Sequence, residues 1–234
     1  MLYDFHMHSC LSPCGDDEMT PNNIAGMSHI VGLGAISLTD HNCTLNLPRV
    51  KKCAEAFGIK FIPGIEVCTN EDIHVLCYFE DLEICLEFGN LIANKLPRIK
   101  NKENIFGNQL IMDSDDNIQG SFNYLLLNGC EYSLSETVNL CHSMGGIAVY
   151  AHIDKNSYSV LSVLGSMPPE IHIDGVELYH IENRSALINQ GLLSEDMPYM
   201  TNSDAHYLEN IGEKEQHIST SNPLYKLLEK MNFI

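Results

Sequence analysis

Eleven histidines stand in this chain of 234 residues, and several are grouped in ways that suit metal binding. His6 and His8 form an H-x-H pair at the end of a short apolar run. On a strand, side chains two apart point the same way, so both imidazoles can reach one cation. Asp204 and His206 repeat the spacing with one carboxylate. Asp40-His41, Gly64-Ile65-Glu66, His74 and Ala151-His152 supply further imidazoles and an acid. Neutral imidazoles and carboxylates in such a mixture suit zinc, manganese or iron. A single H-x-H is weak evidence, and the repetition gives it weight.

The elements that must position these residues alternate in type. Residues 2–5, 35–38, 60–63, 73–79, 147–151 and 174–178 read as strands. Helical stretches fall at 22–31, 48–57, 81–96, 135–144, 160–164 and 185–190, with an amphipathic tail at 222–232. Thr20-Pro21 opens the first helix as cap and first-turn residue, Gly32 and Gly58 stop the first two, and Ser135 is the expected cap of the fourth. Strand-then-helix units imply an α/β fold with a largely parallel sheet. Active sites of such folds gather where strands end. His6 and His8, His41, Glu66, His152, and Asp204 with His206 each fall at a separate predicted strand end, and His74 near a strand start. Residues from about 85 to 135 are polar and rich in Asn and Asp, and read as a helical insertion in a single domain spanning 1–234.

Lys plus Arg is 13 and Asp plus Glu is 31, a net charge of −18. So acidic a surface repels phosphate backbones and argues against a nucleic-acid polymer as partner. A small phosphorylated substrate stays open, because bound cations reverse the potential locally. No apolar run is long enough for a membrane span, and the first residues lack a secretory pattern. Nine cysteines without a disulfide framework point to a reducing, cytoplasmic setting. Cys10 and Cys14 invite a zinc–thiolate reading, but no second pair follows at zinc-ribbon spacing, so both read as small apolar fillers.

Together, His6-Met7-His8-Ser9, Thr39-Asp40-His41, Gly64-Ile65-Glu66, His74, Ala151-His152 and Ser203-Asp204-Ala205-His206 resemble the PHP family, named for polymerase and histidinol phosphatase. The resemblance runs from about residue 3 to 208 and is poor between about 85 and 135. It implies a distorted seven-stranded β/α barrel, TIM-like in outline, around two or three divalent metal ions (Zn, Mn or Fe). By the same resemblance His6, His8, Glu66 and Asp204 would hold one ion. Glu66 would bridge to a second, completed by His74 and His152. His41 and His206 would hold a third, with Asp16 as the matching ligand by its spacing from Pro21 and Asp17 as a substitute.

The chemistry so implied is hydrolysis of a phosphate ester by a metal-activated water, with Glu66, Asp204 and His206 at its centre. The expected substrate is a small phosphorylated metabolite or nucleotide. Two alternatives stand beside it: an amidohydrolase-like enzyme cutting another bond, and a metal-binding regulatory domain without turnover. Lys155, Arg184 and His180 follow predicted strands closely and are the expected substrate contacts. Asp40 either orients His41 or caps the following loop. Nothing in the sequence fixes an oligomeric state.

Overall fold

A computed structural model describes residues 2–214 and 216–230. In chain order the elements are β1 (Leu2–Asp4), α1 (Pro21–Ile30), β2 (Leu33–Leu38), α2 (Leu47–Ala56), β3 (Lys60–Cys68), β4 (His74–Tyr78) and α3 (Leu82–Asn94). There follow α4 (Glu103–Phe106), β5 (Leu110–Met112), β6 (Ile118–Ser121), α5 (Leu134–Ser143), β7 (Ile147–Tyr150) and α6 (Val160–Leu164). The chain continues with β8 (Gly175–Glu177), α7 (Asn183–Asn189), β9 (Tyr199–Met200) and α8 (Pro223–Lys230). The expected tail helix reaches 232, and its last two residues lie outside the described ones.

Seven strands form one curled sheet in the order β1-β2-β3-β4-β7-β8-β9. The α/β half-barrel with outer helices agrees with the expected fold class. One strand departs from the expected parallel arrangement: β4 runs antiparallel to both β3 and β7. Reversal puts the start of β4 beside the ends of its neighbours, with His74 opposite Cys68. A histidine at a strand start therefore joins ligands at strand ends.

The curl draws the two sheet edges together just past β1 and β9. Met7 and Ala205 form a parallel bridge, in which His8 N–H donates to the Ala205 carbonyl at 2.9 Å. This seam joins the H-x-H and D-x-H segments directly. A second bridge, His41 with Glu66, extends β2 and β3 toward the same end.

Local sequence explains most of the helices. Thr20 accepts from Asn23 N–H and Pro21 takes the first turn of α1. A capping box of Ser133 and Glu136 opens α5, two residues before the expected cap at Ser135. Ile24, Val50, Phe88, Val138 and Val160 from five helices pack with Ile36, Ile65, Val75 and Val176 of the sheet. On the other face Tyr3, Ala35, Ile62, Leu76, Val149 and Met200 meet Leu224, Leu227 and Leu228 of α8.

Residues 85–135 are not wholly helical: they hold most of α3, the short α4 and an antiparallel β5–β6 hairpin. The acidic run at 113–116 lies in the hairpin turn. Asp116 there accepts from Thr20 Oγ and Asn22 N–H, tying the hairpin to the start of α1. No helix among the described residues is long and apolar enough to cross a membrane.

Candidate metal centre

Glu66, near the end of β3, is almost fully buried and stands among five imidazoles. His6 Nε2 and His8 Nε2 lie 3.3 Å from its carboxylate oxygens, His41 Nδ1 3.0 Å, His74 Nδ1 2.9 Å and His152 Nε2 3.2 Å. Asp204 meets the same pair from the other side of the seam, with Oδ1 3.2 Å from His6 Nε2 and 3.3 Å from His8 Nε2. His206 stacks on His8 with ring centroids 4.4 Å apart. Above them opens a cavity of about 270 Å³, bordered by His41, His74, His152, Lys155, Tyr158 and His206 among others.

A further layer of residues fixes which nitrogen each imidazole presents. His6 Nδ1 donates to Glu177 at 2.9 Å, which leaves Nε2 facing Glu66 and Asp204. Glu177 also accepts from His152 N–H and Asn202 Nδ2. His8 Nδ1 donates to Ser12 Oγ at 3.1 Å, and Ser12 passes its own proton to Asp40 at 2.7 Å. Asp40 additionally accepts from Ser9 N–H and Ser9 Oγ. It therefore orients His8 through Ser12 and makes no direct bond to the His41 ring. Metal-binding imidazoles are commonly held in this way by carboxylates at their far nitrogen. Glu177→Gln is expected to weaken cation affinity about 10- to 100-fold with the fold intact. Equilibrium dialysis against a chelator buffer measures this, and unchanged affinity would remove the role.

The backbone is also committed to the site. His152 at φ 28° and Asp204 at φ 55° occupy a region that non-glycine residues seldom adopt. Such strain persists where surrounding structure over-determines it, often at functional sites.

Electrostatics divides the imidazoles. Burial opposes the charge on His8, but its bonds to Asp204 and Glu66 prevail and raise its pKa to about 9. At His41 burial is likewise outweighed, by Cys14 and Glu66, again giving about 9. Burial wins at His74, lowering it to about 4, and at His206, lowering it to about 3 with help from His8. Burial also works against ionisation of Glu66 and Asp204, yet the surrounding imidazoles hold both well below the usual carboxylate range.

Glu66 Oε2, His41 Nδ1 and His152 Nδ1 are buried without a hydrogen-bond partner. Glu66 Oε2 and His41 Nδ1 are 3.0 Å apart yet not aligned for a proton between them. An orphaned buried polar atom costs about 1–3 kcal/mol. The convergence of Glu66 Oε2 and His41 Nδ1 fits co-ligands of a cation better than a hydrogen-bonded network. Three groups of donor atoms lie within 4.8 Å of one another: His6, His8 and Glu66; His41, Glu66 and His74; and His8, Cys14, His41 and His206.

The residues expected from sequence converge with one replacement. Asp16 does not reach the centre: its carboxylate accepts Glu18 N–H in a turn, and its N–H donates to the His206 carbonyl. Asp17 binds Asn108 at the surface. Cys14 arrives instead. The spacer from His8 to Pro21 coils through successive turns, Ser12 on Ser9, Gly15 on Ser12 and Met19 on Asp16, so the residue five before Pro21 turns into the loop and not toward the centre. Cys10 is fully buried, as an apolar filler should be, but Cys14 is not.

Of the expected substrate contacts, Lys155 borders the cavity and pairs with Asp204. Arg184 instead donates to the Glu195 carbonyl and lies over the Tyr199 ring. His180 is exposed beside Glu182, away from the cavity. Glu177 escaped the sequence reading, although it closes β8 where other strands end in ligands. Ser12 carried no comparable signal.

An α/β half-barrel whose strand ends converge on buried imidazoles and two carboxylates defines a metal-dependent hydrolase. The PHP domain profile matches residues 4–187, and the chain belongs to that family. Among solved structures, a candidate metal-dependent phosphoesterase from Bifidobacterium adolescentis superposes with a TM-score of 0.63 at 17% identity, covering 97% of this chain and 96% of that one. The lesion-specific endonuclease Q of Pyrococcus furiosus gives 0.60 at 19% identity, over 88% of this chain and 48% of that one. Endonuclease Q has also been solved with a 27-mer duplex carrying an abasic lesion at the active site. The 5′-3′ exoribonuclease Rnm of Salmonella typhimurium is 28% identical over 81 residues, 32% of this chain and 27% of that protein.

These similarities correct one expectation. Relatives that act on nucleic acid overturn the inference that an acidic chain disfavours a nucleic-acid polymer. Net charge sums a whole surface, whereas a phosphate meets the local field, to which each divalent cation adds two positive charges.

Proposed function

We propose that this protein is a metal-dependent phosphoesterase that hydrolyses phosphate esters of nucleic-acid strands or nucleotides. The observation that carries the reading is Glu66, one buried carboxylate shared by five imidazoles beside a cavity that also holds a lysine. His6, His8, Glu66 and Asp204 are the ligands of one cation, and Glu66, His74 and His152 those of a second. His41 and His206 serve a third. The donor set suits zinc, manganese or iron. Cations so held lower the pKa of a bound water toward neutrality and offset charge on phosphoryl oxygens.

The chain's own residues do the rest. Lys155 Nζ, paired with Asp204 at the cavity wall, is placed to donate to a phosphoryl oxygen. Tyr158 stacks on His74 with centroids 4.7 Å apart and is 45% exposed, so its outer face suits a base or sugar. Nine unpaired thiols suit a reducing compartment such as the cytoplasm.

The test is a panel run with added zinc, manganese or iron. It contains a chromogenic phosphomonoester and diester, 5′-phosphorylated RNA and DNA oligonucleotides, amides and lactones. Metal-dependent turnover of phosphate esters alone is expected, and turnover confined to amides or lactones would replace this reading. Lys155→Ala should lower kcat/KM for the active ester roughly 10- to 100-fold, the worth of one charge-assisted hydrogen bond. A kcat/KM within threefold of wild type would deny Lys155 its phosphate contact.

A further inference from the structure

Eight of the nine cysteines are buried, and burial pushes thiols such as Cys10 and Cys43 up to about 12, which leaves them inert. Cys14 is the exception. It borders the cavity, and its sulfur lies within 4.8 Å of donor nitrogens of His8, His41 and His206. His41 is 4% exposed, with its Nδ1 turned to Glu66 Oε2 at 3.0 Å.

The turn that delivers Cys14 is fixed on both sides. A Cβ on Gly15 would come within 2.6 Å of the Ser9 carbonyl oxygen. Gly107, at φ 98° in the segment after α4, packs against Pro13 so closely that a Cβ would meet its carbonyl oxygen at 2.1 Å. Backbone rather than flexible side chain holds the sulfur in place.

We propose that Cys14 supplies a sulfur donor to the outer cation position, beside the nitrogens of His41 and His206, and makes that position selective for a thiophilic cation. This rests on the metal-centre reading above. The two inner positions offer nitrogen and carboxylate oxygen, which accept manganese as readily as their geometry allows, whereas a thiolate prefers zinc or cobalt. The centre therefore loads unevenly: manganese fills the inner positions, and the outer one waits for zinc.

Cobalt(II) titration of the chelated full-length protein tests this by absorbance, alongside elemental analysis. Wild type should show a sulfur-to-cobalt charge-transfer band in the near ultraviolet that zinc removes and manganese does not. Cys14→Ser should bind cobalt without the band. Cys14→His, with an imidazole able to take the same role, should restore full cobalt stoichiometry without the band and lower the zinc-over-manganese preference about tenfold or more. Cobalt bound by wild type without a charge-transfer band, or a band that survives in both variants, would overturn the sulfur donor and leave the inner centre standing. Failure of wild type to bind any cobalt would overturn both.

Discussion

Glu66→Gln is expected to lower kcat by about three orders of magnitude or more, the several kcal/mol attributed to a cation at a reacting phosphoryl group. The reason is geometric. Five imidazoles approach this one carboxylate at 2.9–3.3 Å, so no other residue among the described ones links as many ligands. An amide keeps the shape and removes the charge, leaving one oxygen to accept where two faced different imidazoles. Elemental analysis should find at least one equivalent fewer than in wild type. His152→Ala, which removes one imidazole from one side of Glu66, should cost less metal. Circular dichroism checks that each variant is folded. A Glu66→Gln protein with full metal content and activity within tenfold of wild type would contradict the central role given to this residue.

Removing metal should expose a pH dependence of stability with a maximum near neutrality. His8 and His41 are raised to about 9, so their stabilisation is complete below the unfolded value of about 6.5 and is lost as pH climbs through 9. His74 and His206 are lowered to about 4 and about 3, so stability is lost as pH falls below about 6.5 toward those values. Glu66 and Asp204, depressed by neighbouring imidazoles against the cost of burial, add to the acid-side loss. The chelated protein should melt highest near pH 6.5 and roughly 5–10 °C lower by pH 9. Cations replace the protons on these imidazoles, so the metal-loaded protein should not decline over that interval. At a thousand times Kd one site adds about 4 kcal/mol, or about 10 °C in a chain of this size. Scanning calorimetry with and without chelator checks both. A chelated protein that gains stability from pH 6.5 to 9 would contradict the assignment of proton-holding imidazoles.

Much of the centre was legible because its chemistry is local in sequence. An H-x-H at a strand end needs only the two-residue period to aim both rings together, and D-x-H needs nothing more. Capping at Thr20 and the first-turn Pro21 were likewise readable, since a cap depends on neighbours within one turn. Strand-then-helix alternation sufficed for an α/β fold, and the family resemblance implied the seven strands that form the sheet.

What sequence could not decide depends on contacts between distant segments. The direction of β4 is set by its pairing with β3 and β7, and only that reversal brings His74 to the ligand end. The seam between Met7 and Ala205 joins residues almost the whole chain apart. Glu177 acts on His6 across the same sheet. Cys14 rather than Asp16 faces the centre because coiled turns, clamped by Gly107 against Pro13, set the direction of a short irregular loop. Residue types and spacing thus determined which chemistry the chain carries. The tertiary fold decided which donors meet, because a side chain's direction outside regular structure follows from packing and not from periodicity.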